Sequence, residues 1–218
     1  MNLEETKKQV CRWMEKLAEE GVIQGTGCVI SCRFSDCMII TPENADPGKC
    51  RPDDMVAVSL EDFSWGGKTK PSPEYILHAA VYLKKKKMNA LVHATQLNIM
   101  TASKAGHEVR PMLDDMAQIV GASAKVAAFT VTPGKKEIRS VLKGLRRRSG
   151  VLLADHGALC GGSNFDEAHA VAQVMEKGCK CFIESAFLGG GVIINAVERN
   201  LMRFVYVLKY SKAAETNK

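Results

Sequence analysis

Ala90-Leu91-Val92-His93-Ala94-Thr95 decides how this chain is read, together with a second stretch of the same build, Val151-Leu152-Leu153-Ala154-Asp155-His156-Gly157. Each opens on a short apolar run, compact enough for a buried strand and rich in Val and Leu. Each runs almost directly into a histidine, and the ends of strands are where α/β sheets place their sites. Working back from His93, Ser72-Pro73-Glu74 has the form of an N-cap, a first-turn proline and an acidic first-turn residue. The helix it predicts has Ile76, Leu77, Ala80 and Val81 as its apolar stripe. Further back, Met38-Ile39-Ile40-Thr41 and Met55-Val56-Ala57-Val58 read as short strands, and Gly25-Thr26-Gly27-Cys28-Val29-Ile30-Ser31 as a glycine-punctuated strand segment. Residues 3–20 carry Val10, Trp13, Met14 and Leu17 at helical spacing, closed by Gly21.

Forward from His93, residues 125–131 predict a strand, and Thr132-Pro133 caps a helix that reaches Arg148. Asn164 with Glu167 forms a capping-box start for a long helix containing Ala168, Val171, Val174 and Met175. Residues 201–208 are apolar and read equally as strand or helix. Strands and helices alternate irregularly, without repeat or low-complexity tract, which predicts one mixed-sheet α/β layered domain over residues 1–218.

Composition narrows the function classes. With 46% hydrophobic and 25% charged residues over 218 positions, the chain has the make-up of a soluble globular protein. No apolar run approaches the ~20 residues that span a bilayer. The N-terminal residues are charged and lack the pattern of a signal peptide, so the expected location is cytoplasmic. The eight cysteines include no CxxC pair and no Cys/His knuckle. They are expected to be reduced and to pack as small hydrophobes. The net charge of +6 gathers in Lys84-Lys85-Lys86-Lys87 and Arg146-Arg147-Arg148. Both runs fall at predicted helix ends, where cations complement the helix dipole. No aromatic residue is interleaved with them for base stacking, so no nucleic-acid partner is expected, and without a spanning apolar run no membrane partner is expected either.

The residues that carry chemistry are Glu74, His93 and His156. Two imidazoles and a carboxylate suit Zn²⁺ or a related divalent ion. Taken from the residues alone, a histidine at a strand end is more often a hydrogen-bonded structural residue than a ligand. His78, four residues after Glu74, shares its helical face, and either orients the carboxylate or makes a plain i,i+4 contact.

Five blocks resemble the class II aldolase/adducin family. Gly25-Thr26-Gly27-Cys28-Val29-Ile30-Ser31 is similar to its GTGGNIS segment, and Ile40-Thr41-Pro42-Glu43-Asn44 to its ITPSG turn. Pro71-Ser72-Pro73-Glu74 followed by His78 resembles PSSE-x3-H. Ala90 to Thr95 resembles AVVHxH, and Asp155-His156-Gly157 resembles NHG, with Gly162, Asn164, Glu167 and Ala168 matching the pattern beyond. The order and spread of the blocks make the resemblance far more specific than any one of them.

The resemblance implies a three-layer αβα sandwich around a central mixed, largely antiparallel sheet, assembled as a C4-like homotetramer. It implies divalent-metal-dependent retro-aldol cleavage of a small sugar or sugar phosphate, the metal acting as Lewis acid toward an enediolate. By position Glu74 is the base, His93 and His156 are metal ligands, and Zn²⁺ or another divalent metal is the cofactor. Thr26, Gly27, Cys28, Asn44 and Ser72 take the positions of substrate and phosphate binding.

The chain departs from the family at three places. Thr95 stands where the second histidine of HxH belongs, and a neutral hydroxyl is a poor metal ligand. Gln96 or a cysteine thiolate, from Cys28 or Cys160, is the alternative donor. Glu43 and Pro73 enter the phosphate cradle, one adding negative charge and the other removing an N–H. The segment Met112 to Met116 lacks the tyrosine some aldolases use. It carries Asp114 and Asp115, and related sugar-phosphate epimerases use an aspartate in this region; Asp115 is therefore an acid/base candidate beside the plain reading of helix first-turn aspartates. These departures keep open an adducin-head-like binding or assembly module without catalysis, and a metal-dependent epimerase or decarboxylase.

Overall fold

The computed structural model describes residues 2–216, with side chains to Lys209. Helix α1 (Leu3–Glu19) is followed by strands β1 (Ile30–Phe34), β2 (Cys37–Ile40) and β3 (Val56–Ser59), then helix α2 (Tyr75–Lys84) and strand β4 (Ala90–Ala94). Helix α3 (Leu97–Ala105), strand β5 (Val126–Ala127), helix α4 (Lys135–Gly144), the hairpin β6 (Gly150–Leu153) and β7 (Gly157–Gly162), and helices α5 (Phe165–Phe187) and α6 (Ala196–Thr216) complete the order. A π-helical turn, Met116–Val120, precedes β5.

The seven strands form one sheet in the order β3-β2-β1-β4-β7-β6-β5. Every pairing is antiparallel except β5 with β6, so the sheet is mixed and largely antiparallel, as the resemblance implied. Alternation of side chains builds a core on each face. Ile30, Cys32, Ile39, Ala90, Val92, Leu152, Ala158 and Cys160 share one cluster with Val10, Met14 and Leu17 of α1, Ile99 of α3, and Ala168, Val171 and Met175 of α5. Met38, Ile40, Val58, Leu91, Val151, Leu153 and Leu159 face the other way, onto Leu77 and Val81 of α2 and Val141 of α4. Helices on both faces of the sheet make the α/β sandwich.

Several expected boundaries shift. The glycine-punctuated segment 25–29 is loop, and β1 begins only at Ile30. The strand expected over 125–131 is a two-residue edge, and α4 opens at Lys135 with Gly134 as its N-cap. Asn164 caps α5 through the Glu167 N–H, but the Glu167 carboxylate accepts from Ser163 N, so the box is not reciprocal. β7, which holds Gly157, Gly161 and Gly162, was not anticipated. Gly162 clears the way for α5: a Cβ there would lie 2.4 Å from that of Glu167. Residues 201–208 lie in α6, and both basic runs begin at helix ends. Lys85 donates to the Leu145 carbonyl and Arg148 to Ser123, so part of that charge is tied to backbone. Among the described residues no helix is long and apolar enough to cross a membrane.

Candidate active site

The site is built where β4, β7 and the start of α2 meet. β4 pairs with β7 so that His93 stands opposite Leu159 and Ala94 opposite Ala158. The β6–β7 turn therefore closes beside the end of β4. That turn holds Asp155 at φ 63° and Gly157 at φ 97°, backbone that glycine adopts freely and other residues seldom. Gly157 has a second reason to lack a side chain, since a Cβ there would lie 2.3 Å from the Ala94 carbonyl oxygen. On the other side, Thr41 accepts from Ser72 N. Ser72 Oγ accepts from Glu74 N at 3.3 Å, and α2 begins one residue after Glu74. Ser72 thus caps the approach to the helix three residues before the first helical position.

These elements bring Glu74 and His93 together. His93 Nδ1 lies 2.9 and 3.0 Å from the two Glu74 carboxylate oxygens, and Glu74 is 4% and His93 8% exposed. Burial alone would raise the Glu74 carboxyl, but the His93 charge and hydrogen bond, helped by His78 and His156, hold it below the ordinary carboxylate value. Burial likewise pulls His93 down, while Glu74 and the His156 carbonyl push it above the ordinary imidazole value. The two directions agree on a buried carboxylate–imidazolium pair. His93 Nε2 donates to the His156 carbonyl, and His156 Nδ1 lies 2.9 Å from the Ala154 carbonyl. Phe129 packs edge-on to both imidazoles, at 5.7 and 5.0 Å between ring centres.

The other candidates fall into three groups. Thr26 and Asn44 line an open cleft of about 460 Å³ with Asp46, Lys49, Cys50 and Asp54. Two carboxylates against one ammonium make this a poor cradle for a phosphate dianion. The backbone amides of Gly27 and Cys28 both point to the Ala45 carbonyl. Burial, then Asp46 and Cys50, push the Cys28 thiol up to about 11, so it is a neutral thiol bonded to the Gly25 carbonyl. Thr95 Oγ1 accepts from Gln24 N at 3.0 Å, and Gln96 Nε2 donates to Gln173. Cys160 is fully buried against Met175. Asp115 ion-pairs with Lys177 of α5.

A divalent ion fits the surviving donors in kind. Two imidazoles and one carboxylate form a recognised three-ligand set for catalytic zinc, which leaves a coordination position open. As the side chains stand, both His93 nitrogens are taken by protein groups, and among the described residues no three His, Cys, Asp or Glu stand in a metal-holding arrangement.

Sequence reasoning missed Phe129, Ser31 and Tyr82 as neighbours of these groups. Only Ser31 left a signal, as a small polar residue between Ile30 and Cys32 in strand β1.

Residues 8–183 match the model of the Class II Aldolase and Adducin N-terminal domain. A 5-deoxy-D-ribulose 1-phosphate aldolase from Bacillus thuringiensis is 27% identical over 191 residues, 87% of this chain and 89% of that protein. A 5-methylthioribulose-1-phosphate/5-deoxyribulose-1-phosphate aldolase from Escherichia coli O45:K1 is 30% identical over 150 residues, 68% of each chain. The solved structure of an L-fuculose 1-phosphate aldolase superposes with a TM-score of 0.87 at 24% identity, covering 93% of this chain and 96% of that one.

Proposed function

The chain belongs to the class II aldolase and adducin N-terminal domain family, and from that premise we propose that it is an aldehyde-lyase acting on a small sugar or sugar phosphate, with Glu74 as its proton-transfer base. The observation that carries this reading is the buried Glu74–His93 pair at the β4 end, beside the His156 turn. In retro-aldol cleavage the carbinol O–H proton leaves as its carbon becomes the aldehyde. The electrons of the broken carbon–carbon bond pass into an enediolate, which takes up a proton at carbon. Glu74 is held ionised, so it can accept the first proton and return one to carbon. His93 orients the carboxylate through Nδ1, and Phe129 keeps water from the two rings. Glu74, His93 and His156 would hold a divalent ion once His93 gives up a ring proton and turns from the group it now donates to, with Zn²⁺ suited to that set. When bound, such an ion supplies Lewis-acid polarisation of a carbonyl. Thr26 and Asn44 take the family's substrate-binding positions, and the cleft they line with Asp46 and Asp54 favours a sugar with little negative charge. Phe187, Leu188, Val192 and Val197 are exposed, which supports assembly into a homo-oligomer, a tetramer by family analogy.

A second reading, a binding or assembly module without catalysis, is favoured by one observation: the Thr95 hydroxyl is engaged by Gln24 N and leaves the third ligand position unfilled. The test is aldehyde release from 5-deoxy-D-ribulose 1-phosphate, L-fuculose 1-phosphate and their unphosphorylated sugars, with Zn²⁺, Mn²⁺ or Co²⁺ present. Glu74→Gln is expected to lower the rate by about 10²–10⁴-fold. A protein that retains no metal after incubation with excess Zn²⁺, by plasma mass spectrometry, and releases no aldehyde is the binding module.

A further inference from the structure

Beside Glu74, reaching the carboxylate oxygen Oε2 that also meets His93, lies a second chain of polar side chains that the proposed reaction does not use. His78 is fully buried one turn into α2, its Nε2 3.9 Å from the Glu74 carboxylate and without a hydrogen-bond partner. Its Nδ1 lies 2.7 Å from Ser31 Oγ, and Ser31 Oγ lies 2.7 Å from the Tyr82 hydroxyl. All three residues are 0% exposed. They come from two elements: Ser31 from β1, His78 and Tyr82 from successive turns of α2, so β1 supplies the hydroxyl that bridges the helix.

Buried polar groups must be partnered, and counting donors gives the chain a direction. The Tyr82 O–H has Ser31 Oγ as its partner among the described residues, and donates to it. The Ser31 hydroxyl has one proton and gives it to His78, so Nδ1 is the acceptor. The ring proton then sits on Nε2, facing Glu74. The opposite direction would leave the Tyr82 O–H without an acceptor and turn a lone pair of His78 toward a carboxylate, so it satisfies fewer groups and adds repulsion.

We propose that Tyr82, Ser31 and His78 are positioning residues that fix His78 as the Nε2–H tautomer and hold that N–H toward Glu74. The carboxylate then has a second donor to turn to when it leaves His93 to meet a substrate. His78 keeps Glu74 Oε2, the oxygen nearest its Nε2, oriented, in the way outer partners orient reactive or ligating groups. This deepens the reading of Glu74 as base and rests on it for its catalytic consequence, while the tautomer and its contact with Glu74 stand independently of any activity.

The experiment is two-bond ¹H–¹⁵N correlation of histidine rings in the full chain, labelled with ¹⁵N-histidine and kept in chelator at neutral pH. His78 is expected with Nε2 protonated and Nδ1 bare. Ser31→Ala is expected to release Nδ1 and move the tautomer toward Nδ1–H, with Tyr82→Phe doing so in part. Glu74→Gln is expected to shift the His78 Nε2 resonance and leave Nδ1 in place. A His78 that is Nδ1–H in the unsubstituted protein overturns the proposal, as does an Nε2 resonance that ignores Glu74→Gln. For the step through Glu74, Tyr82→Phe should lower kcat by about 10- to 100-fold with KM little changed. If Glu74→Gln costs no activity, the base reading fails while the tautomer result still decides the positioning of His78.

Discussion

Lowering the pH from 6.5 to 5 should destabilise this protein through His78. Burial depresses its imidazole from 6.5 to about 4, against a weaker opposing pull from Glu74. A group whose charged form is disfavoured in the folded state binds its proton more readily when unfolded. Its contribution is therefore intact above about 6.5 and is lost progressively as pH falls toward 4. The whole shift corresponds to about 3 kcal/mol, with a limiting slope of about 1.4 kcal/mol per pH unit. His78 is fully buried, so no discount for solvent screening applies. The two neighbouring groups do not move in that window. His93 is raised, so its contribution is complete below the unfolded value near 6.5 and is lost only as pH rises through the folded one. Glu74 is depressed, so its contribution is lost only as pH falls below the ordinary carboxylate value of 4.5. The assay is thermal unfolding in chelator at pH 6.5, 6.0, 5.5 and 5.0, for the unsubstituted protein and for His78→Gln, which does not titrate. The unsubstituted protein should lose about 2 kcal/mol over the range, or about 4–8 °C in Tm for a chain of this size, beyond any loss in the variant. Parallel curves for the two proteins would refute the reasoning.

Two further perturbations separate packing from conformation at places the site depends on. Gly157→Ala places a methyl 2.3 Å from the Ala94 carbonyl at φ 97°, so it should lower Tm far more than Gly21→Ala. At Gly21, φ is 70° and nothing lies within 4 Å, and only the left-handed backbone penalty of about 1–2 kcal/mol applies. Equal losses in the two variants would remove the steric argument for the His156 turn. Arg203→Met should loosen α6 selectively, because the guanidinium donates to the Gln118 and Ile119 carbonyls and to Ser149 Oγ. Those charge-assisted bonds are together worth a few kcal/mol. Hydrogen exchange should quicken over residues 196–209 and leave β4 unchanged.

Local chemistry made most of the elements legible. The apolar runs at 90–92 and 151–154, the stripe of α1 and the Asn164 cap all lie where the structure has strands, helix and cap. Where local reading failed, the reason was a tertiary partner. β7 was missed because its glycines answer to α5 and to the β4 backbone rather than to their own sequence neighbours. Helix α3 carries no clear stripe and was not anticipated; it is ordered by α5, whose Glu176 accepts from Asn98 N and Ile99 N.

The sequence alone determined the family resemblance, the alternating α/β make-up, and Glu74, His93 and His156 as the residues of interest, because each of those is written in side-chain type and short-range spacing. Only the tertiary structure decided how they meet. Sheet pairing across 63 residues set the His156 carbonyl on His93. Pairing of β4 with the loop before β1 turned the Thr95 hydroxyl to Gln24. Packing of α2 on β1 joined Ser31, His78 and Tyr82 beside the carboxylate. Hydrogen bonds between residues so far apart in the chain depend on strand order and register, which no local period encodes.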